Sequence, residues 1–407
     1  MNILSINTFY PCPPRRGMDI IYLNLLKLQA TEHDVTVVTL KRADSDEEHA
    51  TDLDDICADV VFVEPRNNRN LFFKVWHRLL YSALAVFLWR PRCTFYAAPP
   101  ELRHAVKTLL ATQHFDVVEI HHSTTGALVS AIGESPAVLY LYDLHFRAKS
   151  RAAALKHGLQ AITEWIEAKQ FRSFETWLLP HFRLLLCGQE QDKSEAEEIV
   201  GDRSRVRLMP NVIDTDAICP DTRIPVENNT IVFVGAMTHQ ANVDAVLHFA
   251  ESVWPLIREK VPDGRWWIVG GKPPPEISNL SKRAGISVFA DVPDVRPFIA
   301  AAAVYIAPLR IGSGVKVKIM EALAMGKAIV ATPVAAEGMA LEPGRDLVVT
   351  DLGPTFSAAI AGIWRDAAAR NAMQRYAREA AVARFSVEAG RTTLDQVYDQ
   401  LRSKQAV

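Results

Sequence analysis

Short apolar runs recur along the whole chain, and each is followed by a stretch whose apolar positions return every three or four residues. Strands buried on both faces of a sheet read as continuous apolar segments, so this alternation predicts parallel strands joined by crossover helices. In the first half the predicted strands are Ile3–Asn7, Val35–Leu40, Val60–Val63, Val117–Ile120, Val138–Leu141, Leu184–Cys187 and Arg207–Met209. Helical periodicity lies between them at Met18–Ala30, Glu101–Thr112, Thr124–Ile132, Ala161–Leu178 and Asp192–Ile199. In the second half the strands are Ile231–Gly235, Trp266–Gly270, Ser287–Phe289, Ala303–Pro308, Ala328–Thr332 and Leu347–Val349. Two consecutive sets of this kind predict two doubly wound α/β domains. Pro210, Asn211, Asp214 and Pro220 in the segment MPNVIDTDAICP mark the join as a hinge, giving a first domain over 1–212 and a second over 213–385. From Phe385 the chain reads FSVEAGRTTLDQVYDQL, a final amphipathic helix that leaves 386–407 to be placed.

Composition narrows the class without changing that picture. A chain of 407 residues holds two domains of ordinary size, each able to bury a core. With 49% hydrophobic and 23% charged residues it reads as a soluble globular protein, and a net charge of −2 argues against a nucleic-acid binder. The five cysteines are scattered and form no C-x-x-C pair, so neither a zinc site nor a disulfide framework is indicated and a reducing, cytoplasmic setting fits. The opening MNILSINTFY lacks a basic leader and runs straight into a strand, and no apolar stretch is long enough to span a bilayer.

Candidate chemistry concentrates in PLRIGSGVKVKIMEALAMGKAIVATPVAAEG, Pro308 to Gly338. An apolar strand ends in a loop carrying Arg310, Gly312 and Gly314, and a helix follows with Lys316, Lys318 and Glu321 near its start. Such a loop presents unpaired backbone N–H groups and the positive helix end to an anion, and glycine lets the backbone come close. Arg310 and Lys318 add full charge for that anion. Glu321, about two turns in, would repel a phosphate and suits a sugar's hydroxyls instead. Read blandly, Lys318 and Glu321 are three apart and placed to pair with each other on a surface.

The stretch resembles the donor-site signature of the retaining GT-B glycosyltransferases of family 4. Gly314, Lys318, Glu321, Ala322, Ala324, Gly326 and Val330 stand in its G-x-x-x-K-x-x-E-A-x-A-x-G pattern and the following strand. Ala328 replaces the usual proline, and Ser313 falls where the first Glu of the family's E-x7-E pair would stand, which points to altered sugar recognition. Val234–Asn242 resembles a sub-branch with V-G-x-M-x-x-x-x-N-x-D-A, matched by Gly235, Met237, Asn242, Asp244 and Ala245; Asn242 is read as a helix N-cap. Arg16-Gly17 stands where the family has a Gly-Gly pair, so Gly17 alone carries over; read blandly, the segment with Arg15 and Arg16 is an ordinary strand–helix turn with solvated arginines. Gly270 ends a second close-approach turn, and Val292 lies in the loop FADVPDVRP that would hold a nucleotide base. Tyr142 replaces the family's sugar-contacting His, with Asp143 and His145 beyond it; His121 is a weaker candidate.

The resemblance implies a GT-B enzyme: two Rossmann-like domains facing a cleft, with 386–407 crossing back onto the first domain. The first domain would take the acceptor and the second a nucleotide-diphosphate sugar such as a UDP-sugar. It implies donor contacts from Gly17, Gly235, Gly270, Val292, Arg310, Gly312, Ser313, Gly314, Val315, Lys318 and Glu321, and catalytic roles for Asp143, His145 and Glu321. No metal or cofactor is expected, because the leaving diphosphate would be stabilised by cations and N–H groups. Leu71–Arg92, LFFKVWHRLLYSALAVFLWRPR, mixes apolar and basic residues as a helix at a membrane interface does, with a lipid-linked or glycan acceptor, although a buried helix with snorkelling ends has the same composition. The expected setting is therefore cytoplasmic, at the inner face of a membrane, in polysaccharide or glycolipid synthesis. Two rivals remain: a degenerate scaffold that binds a nucleotide sugar without turnover, and a nucleotide-sugar epimerase, whose acid/base carboxylates are not evident. A nicotinamide dinucleotide is disfavoured, since no G-x-G-x-x-G follows the first strand.

Overall fold

The computed structural model describes residues 1–14, 17–41, 50–65, 71–312 and 316–403. The chain divides into two compact units, Met1–Asn211 with Gly390–Val407, and Val212–Ala389. Unit 1 is built on strands β1 (Asn2–Ile6), β2 (Asp34–Leu40), β3 (Asp59–Val63), β4 (Val117–His121), β5 (Ala137–Leu141), β6 (Leu184–Cys187) and β7 (Val206–Leu208). They form one parallel sheet in the order β3-β2-β1-β4-β5-β6-β7. Unit 2 carries β8 (Glu227–Val234), β9 (Arg265–Gly270), β10 (Ile286–Ala290), β11 (Ala302–Ala307), β12 (Ala328–Ala331) and β13 (Val348–Val349), parallel in the order β10-β9-β8-β11-β12-β13. Each sheet reverses its strand order once, between β1 and β4 and between β8 and β11, the crevice where ligands of open α/β sheets bind. The central strands β4, β5, β11 and β12 are buried along their whole length, and β5, β11 and β12 read as unbroken apolar runs, whereas β4 carries the buried Glu119 and His121.

The helices that matter below are α1 (Gly17–Gln29), α2 (Leu71–Phe87), α3 (His145–Leu155), α4 (Gly158–Leu178), α5 (Gln240–Ser252), α6 (Val317–Ala324) and α7 (Val387–Ser403). The predicted helix Thr124–Ile132 is a 3-10 turn, Thr125–Leu128, followed by one α-turn that stops at Gly133. The apolar segment 71–92 is helical only to Phe87. Trp89 turns left-handed at φ 49°, Arg90 N–H bonds back to Ala85, and Pro91 cannot continue the helix, so Arg90 and Arg92 lie beyond its end. Among the described residues no helix is long and apolar enough to cross a membrane.

Helix α7 presents Gly390, Leu394, Val397, Tyr398 and Leu401 as one buried face, and from Gly390 onward it belongs to unit 1. Tyr398 Oη donates to the buried carboxylate of Glu119 on β4 at 2.8 Å. Gln29 Nε2 donates to the same carboxylate at 2.7 Å, and Tyr140 Oη at 3.4 Å. Burial pushes Glu119 up to about 7, against the pull of those three donors. At the surface Arg391 adds an ion pair with Glu32 at 3.0 Å.

Candidate functional site

In unit 2 the backbone comes first. Strand β8 runs into Gly235, whose N–H bonds to Val269 O at 3.0 Å, and β9 ends at Gly270. A Cβ on Gly270 would lie 1.9 Å from Gly235 O, and a Cβ on Gly235 would lie 2.8 Å from both Lys318 Nζ and Asn242 Nδ2. At Gly270 the backbone itself leaves no space for a larger residue, while at Gly235 a side chain would displace the Lys318 head and the Asn242 amide, so the glycines hold the ends of neighbouring strands together and leave room for a lysine head above them.

The loop after β11 supplies Arg310, whose Nε and Nη2 donate to the two Asp244 oxygens at 2.9 and 2.7 Å. That fork holds the guanidinium above its ordinary value, and 36% of the Arg310 side chain stays exposed. Gly312 sits at φ 138°, a conformation open to glycine, where a Cβ would press on Lys316 Cε at 3.3 Å. Helix α6 then carries Lys318, which donates to Asn242 Oδ1 and lies 4.7 Å from the centre of the Phe233 ring. Desolvation, with Lys316 pushing the same way, brings Lys318 down to about 7, while Glu321 opposes the shift. Glu321 stands one turn into α6, not two as the sequence suggested, because the helix begins at Val317. Desolvation pushes its carboxyl up to about 7, with Lys318 opposing. A lysine and a glutamate half stripped of water, side by side, suit a polar ligand that brings its own charge and hydroxyls.

Asn242 is not the N-cap. His239 precedes the first residue of α5, and Asn242 lies within the first turn. Its Nδ2 donates to Ala236 O at 2.7 Å, which turns the amide oxygen toward Lys318. Val292, in the loop after β10, is half-buried and packs against the core of unit 2. Asp291 before it accepts from Lys272 N–H at 3.0 Å and donates its own N–H to Gly270 O at 3.3 Å, tying that loop to the β9 turn. The structure thus gathers Gly235, Gly270, Arg310, Gly312, Lys318 and Glu321 on one edge of the unit 2 sheet, with Val292 at the next loop along. Ser313, Gly314 and Val315, and likewise Arg15 and Arg16, lie outside the described residues.

Gly17 begins α1 of unit 1. The edge between β1 and β4 in that unit is closed. His121 is fully buried, with Nε2 3.1 Å from Ser5 Oγ, Nδ1 2.8 Å from Tyr142 Oη and its ring stacked on Tyr140 at 4.6 Å. Ser5 Oγ reaches Tyr22 Oη at 2.9 Å. Burial drives His121 well below its ordinary value, so it is a neutral core residue. His145 is different. It opens α3, stacks on Phe171 at 4.9 Å, and sets Nδ1 3.5 Å from Glu175, 3.9 Å from Asp143 and 3.2 Å from Ser123 Oγ. Burial works against its charge, but Asp143 and Glu175 prevail and raise it to about 9, an imidazolium at neutral pH. Glu175 is fully buried in α4 and also accepts the N–H groups of His145 and Phe146, so it caps α3 from another helix. Nothing local in the sequence marks Glu175.

A second surface of unit 1 is apolar and exposed. On α2 and just past it, Val75, Trp76, Leu79, Val86, Phe87 and Trp89 face outward, Phe87 at 86% exposure; on α4 Leu159, Ile162 and Trp165 do the same. Gln170 Nε2 bonds to Ala85 O at 3.0 Å and joins the two helices, and the Arg90 guanidinium lies 4.3 Å from the Trp177 ring. Arg78, Arg92, Lys156 and Lys169 are exposed around them, with Lys156 ion-paired to Glu164 of α4 at 2.5 Å.

Residues 16–217 match the profile described as Glycosyltransferase Family 4, and residues 228–366 that described as Glycosyl transferases group 1. A search of curated proteins finds no match. Among solved structures, sucrose-phosphate synthase from Thermosynechococcus elongatus superposes with TM-score 0.72 at 17% identity, covering 99% of this chain and 100% of the other. Anabaena HepE in complex with UDP-glucose gives 0.65 at 13% identity, over 98% and 100%. A glycosyltransferase from Rickettsia africae gives 0.64 at 12% identity, over 98% of each chain. At these identities the likeness carries the GT-B fold.

Proposed function

The chain belongs to the group 1 / family 4-like glycosyltransferases, and from that premise we propose that unit 2 binds a nucleotide-diphosphate sugar, UDP-linked as in the HepE complex, for transfer with retention of configuration. The observation that carries this reading is the edge where β8 and β11 end. There glycines clear space, and Arg310 and Lys318 stand ready for a diphosphate, with Glu321 one turn beyond for the sugar hydroxyls. When the anomeric C–O bond breaks, its electron pair leaves on the diphosphate while positive charge builds on the ring. Arg310 and Lys318 stabilise the departing charge, an effect on the order of several kcal/mol, in the role a metal plays elsewhere. The acceptor oxygen bonds to the anomeric carbon, and its proton passes to the leaving phosphate oxygen, so no protein base is required. Val292 holds the base through its loop. In unit 1, Asp143 and the charged His145 are the polar groups offered to the acceptor, with His145 as a hydrogen-bond donor.

The exposed apolar face of α2 and α4, with its basic rim, favours an acceptor presented at an anionic bilayer, and hence a place at the inner face of a membrane in polysaccharide or glycolipid synthesis. The test is release of nucleoside diphosphate from a donor panel with lipid-linked and soluble glycan acceptors, beside the Glu321→Ala variant, and flotation with phosphatidylglycerol vesicles. Acceptor-dependent release that Glu321→Ala abolishes supports the reading. Donor binding without turnover, or interconversion of free donor sugars, overturns it. Failure of the protein to float removes the membrane part.

A further inference from the structure

Two cations of the donor edge come from one segment, Arg310 in the loop and Lys318 on α6, and both are gripped by one helix. Asn242 and Asp244 lie two apart on α5; the amide takes the lysine and the carboxylate takes the arginine. The chemistry of the two arms is matched to what each cation must keep free. Asp244 engages Nε and Nη2 of Arg310, which leaves both N–H groups of Nη1 and one of Nη2 for another oxyanion. Asn242 is itself fixed through Nδ2 to Ala236 O, so its oxygen is a rigid, neutral acceptor that uses one of the three ammonium protons without quenching the charge.

Building on the donor reading above, we infer that Asn242 and Asp244 are positioning residues, a two-armed jig on α5 that holds Lys318 and Arg310 in place for a diphosphate before the donor arrives. Neither arm touches the substrate. Their contribution is preorganisation: two flexible cationic side chains are already ordered, so binding does not have to order them.

The test is calorimetric titration with UDP, GDP, ADP and dTDP of the wild type and two double-mutant cycles, Asp244→Ala with Arg310→Ala and Asn242→Ala with Lys318→Ala. In the wild type one of the four binds. Asp244→Ala and Asn242→Ala each weaken that binding about tenfold and raise KM far more than they lower kcat. Each loss disappears when the partner cation is already absent, and Asp244→Glu recovers part of the affinity. Melting temperatures of all variants are recorded, and Asp244→Asn, similar in shape, serves if Asp244→Ala unfolds. A wild type that binds one nucleotide while Asp244→Ala or Asp244→Asn binds it equally or more tightly overturns the jig and leaves the donor reading standing, since the carboxylate would then be a bystander or a competitor. Equal losses with and without Arg310 also overturn it. A wild type that binds none of the four overturns the donor reading and the jig together.

Discussion

The two sheets are wound alike and make opposite use of the place where the strand order reverses. In unit 1 that place is filled: Ser5, Tyr22, His121 and Tyr142 close it with a hydrogen-bonded network of buried side chains. In unit 2 it is kept bare, since Gly270 admits no side chain and one on Gly235 would push Lys318 away, and a half-buried Lys318 and a part-exposed Arg310 stand over the gap. Doubly wound topology offers an opening in both units, but the residues at the strand ends decide whether it survives. Aromatic and hydroxyl groups convert it to core. Glycines with cations leave it open.

The largest effect that can break this contrast is at Lys318. Lys318→Ala is expected to lower kcat/KM by roughly 100-fold or more, the scale of losing one group that stabilises developing charge. Its melting temperature should hold, because the ammonium is costly to bury and sits below its ordinary value for that reason. His121→Phe should do the reverse, leaving kcat/KM within a few-fold while removing about 1–3 kcal/mol of stability, because the buried Tyr142 hydroxyl loses its His121 partner and Ser5 keeps only Tyr22. Steady-state kinetics and thermal melting of both variants decide it. If His121→Phe costs activity as Lys318→Ala does, with stability unchanged, the filled edge is also a site and the contrast fails.

What the sequence revealed and what it hid divide along range. Every strand among the described residues was legible, because a run such as Val138–Leu141 or Ala328–Ala331 is apolar on both faces. That the glycines and cations of the unit 2 edge stand together was legible too, since Arg310, Gly312 and Lys318 lie close together around one strand-to-helix turn. Their partners were not. Asn242 meets Lys318 across 76 positions, Asp244 meets Arg310 across 66, and Glu175 reaches His145 across 30. Asn242 looked like a cap because Asn before an apolar run usually is one, but α5 starts two residues earlier and its side chain was claimed by tertiary contacts. Glu175 is one acid on a long mixed helix and nothing nearby distinguishes it. The early stop of α2 was missed because its apolar pattern continues past Phe87, while the decisive signals are the left-handed Trp89 and Pro91.

A middle-sized effect sharpens the claim that buried polar groups of unit 1 serve stability. Glu119 binds its proton up to about 7 in the folded chain, against about 4.5 ordinarily. Between those values the folded state holds more protons than the unfolded one, so the stability present below about 4.5 is lost as pH rises through about 7. The loss is on the order of 3 kcal/mol. Glu119→Gln cannot ionise. It should therefore melt above the wild type at pH 8, lose that advantage at pH 5, and keep its activity within about twofold at pH 7. Melting curves at the two pH values test this, and a wild-type curve that rises from pH 5 to pH 8 in parallel with that of the variant would refute it.

The smallest effect probes whether the unit 2 cations act through charge. Of the two, only Lys318 titrates near neutrality, at about 7, whereas Arg310 stays charged throughout. A UDP-sugar is a diphosphate diester that does not itself titrate in that range, so any slope in its affinity belongs to the protein. Raising pH from 6 to 8.5 discharges free Lys318, and donor affinity should fall several-fold, because the bound diphosphate holds on the amine a proton that the free protein has lost and must take up again on binding. Glu321, also near 7, ionises over the same interval and works both ways, repelling the diphosphate while favouring the lysine's charge. Lys318→Arg separates the two contributions. A guanidinium keeps its proton, so the slope that survives in this variant belongs to Glu321, and the part that vanishes measures the lysine. If the slope is the same in both proteins, the ammonium contributes contact rather than charge, and the unit 2 edge differs from the filled edge of unit 1 in shape alone.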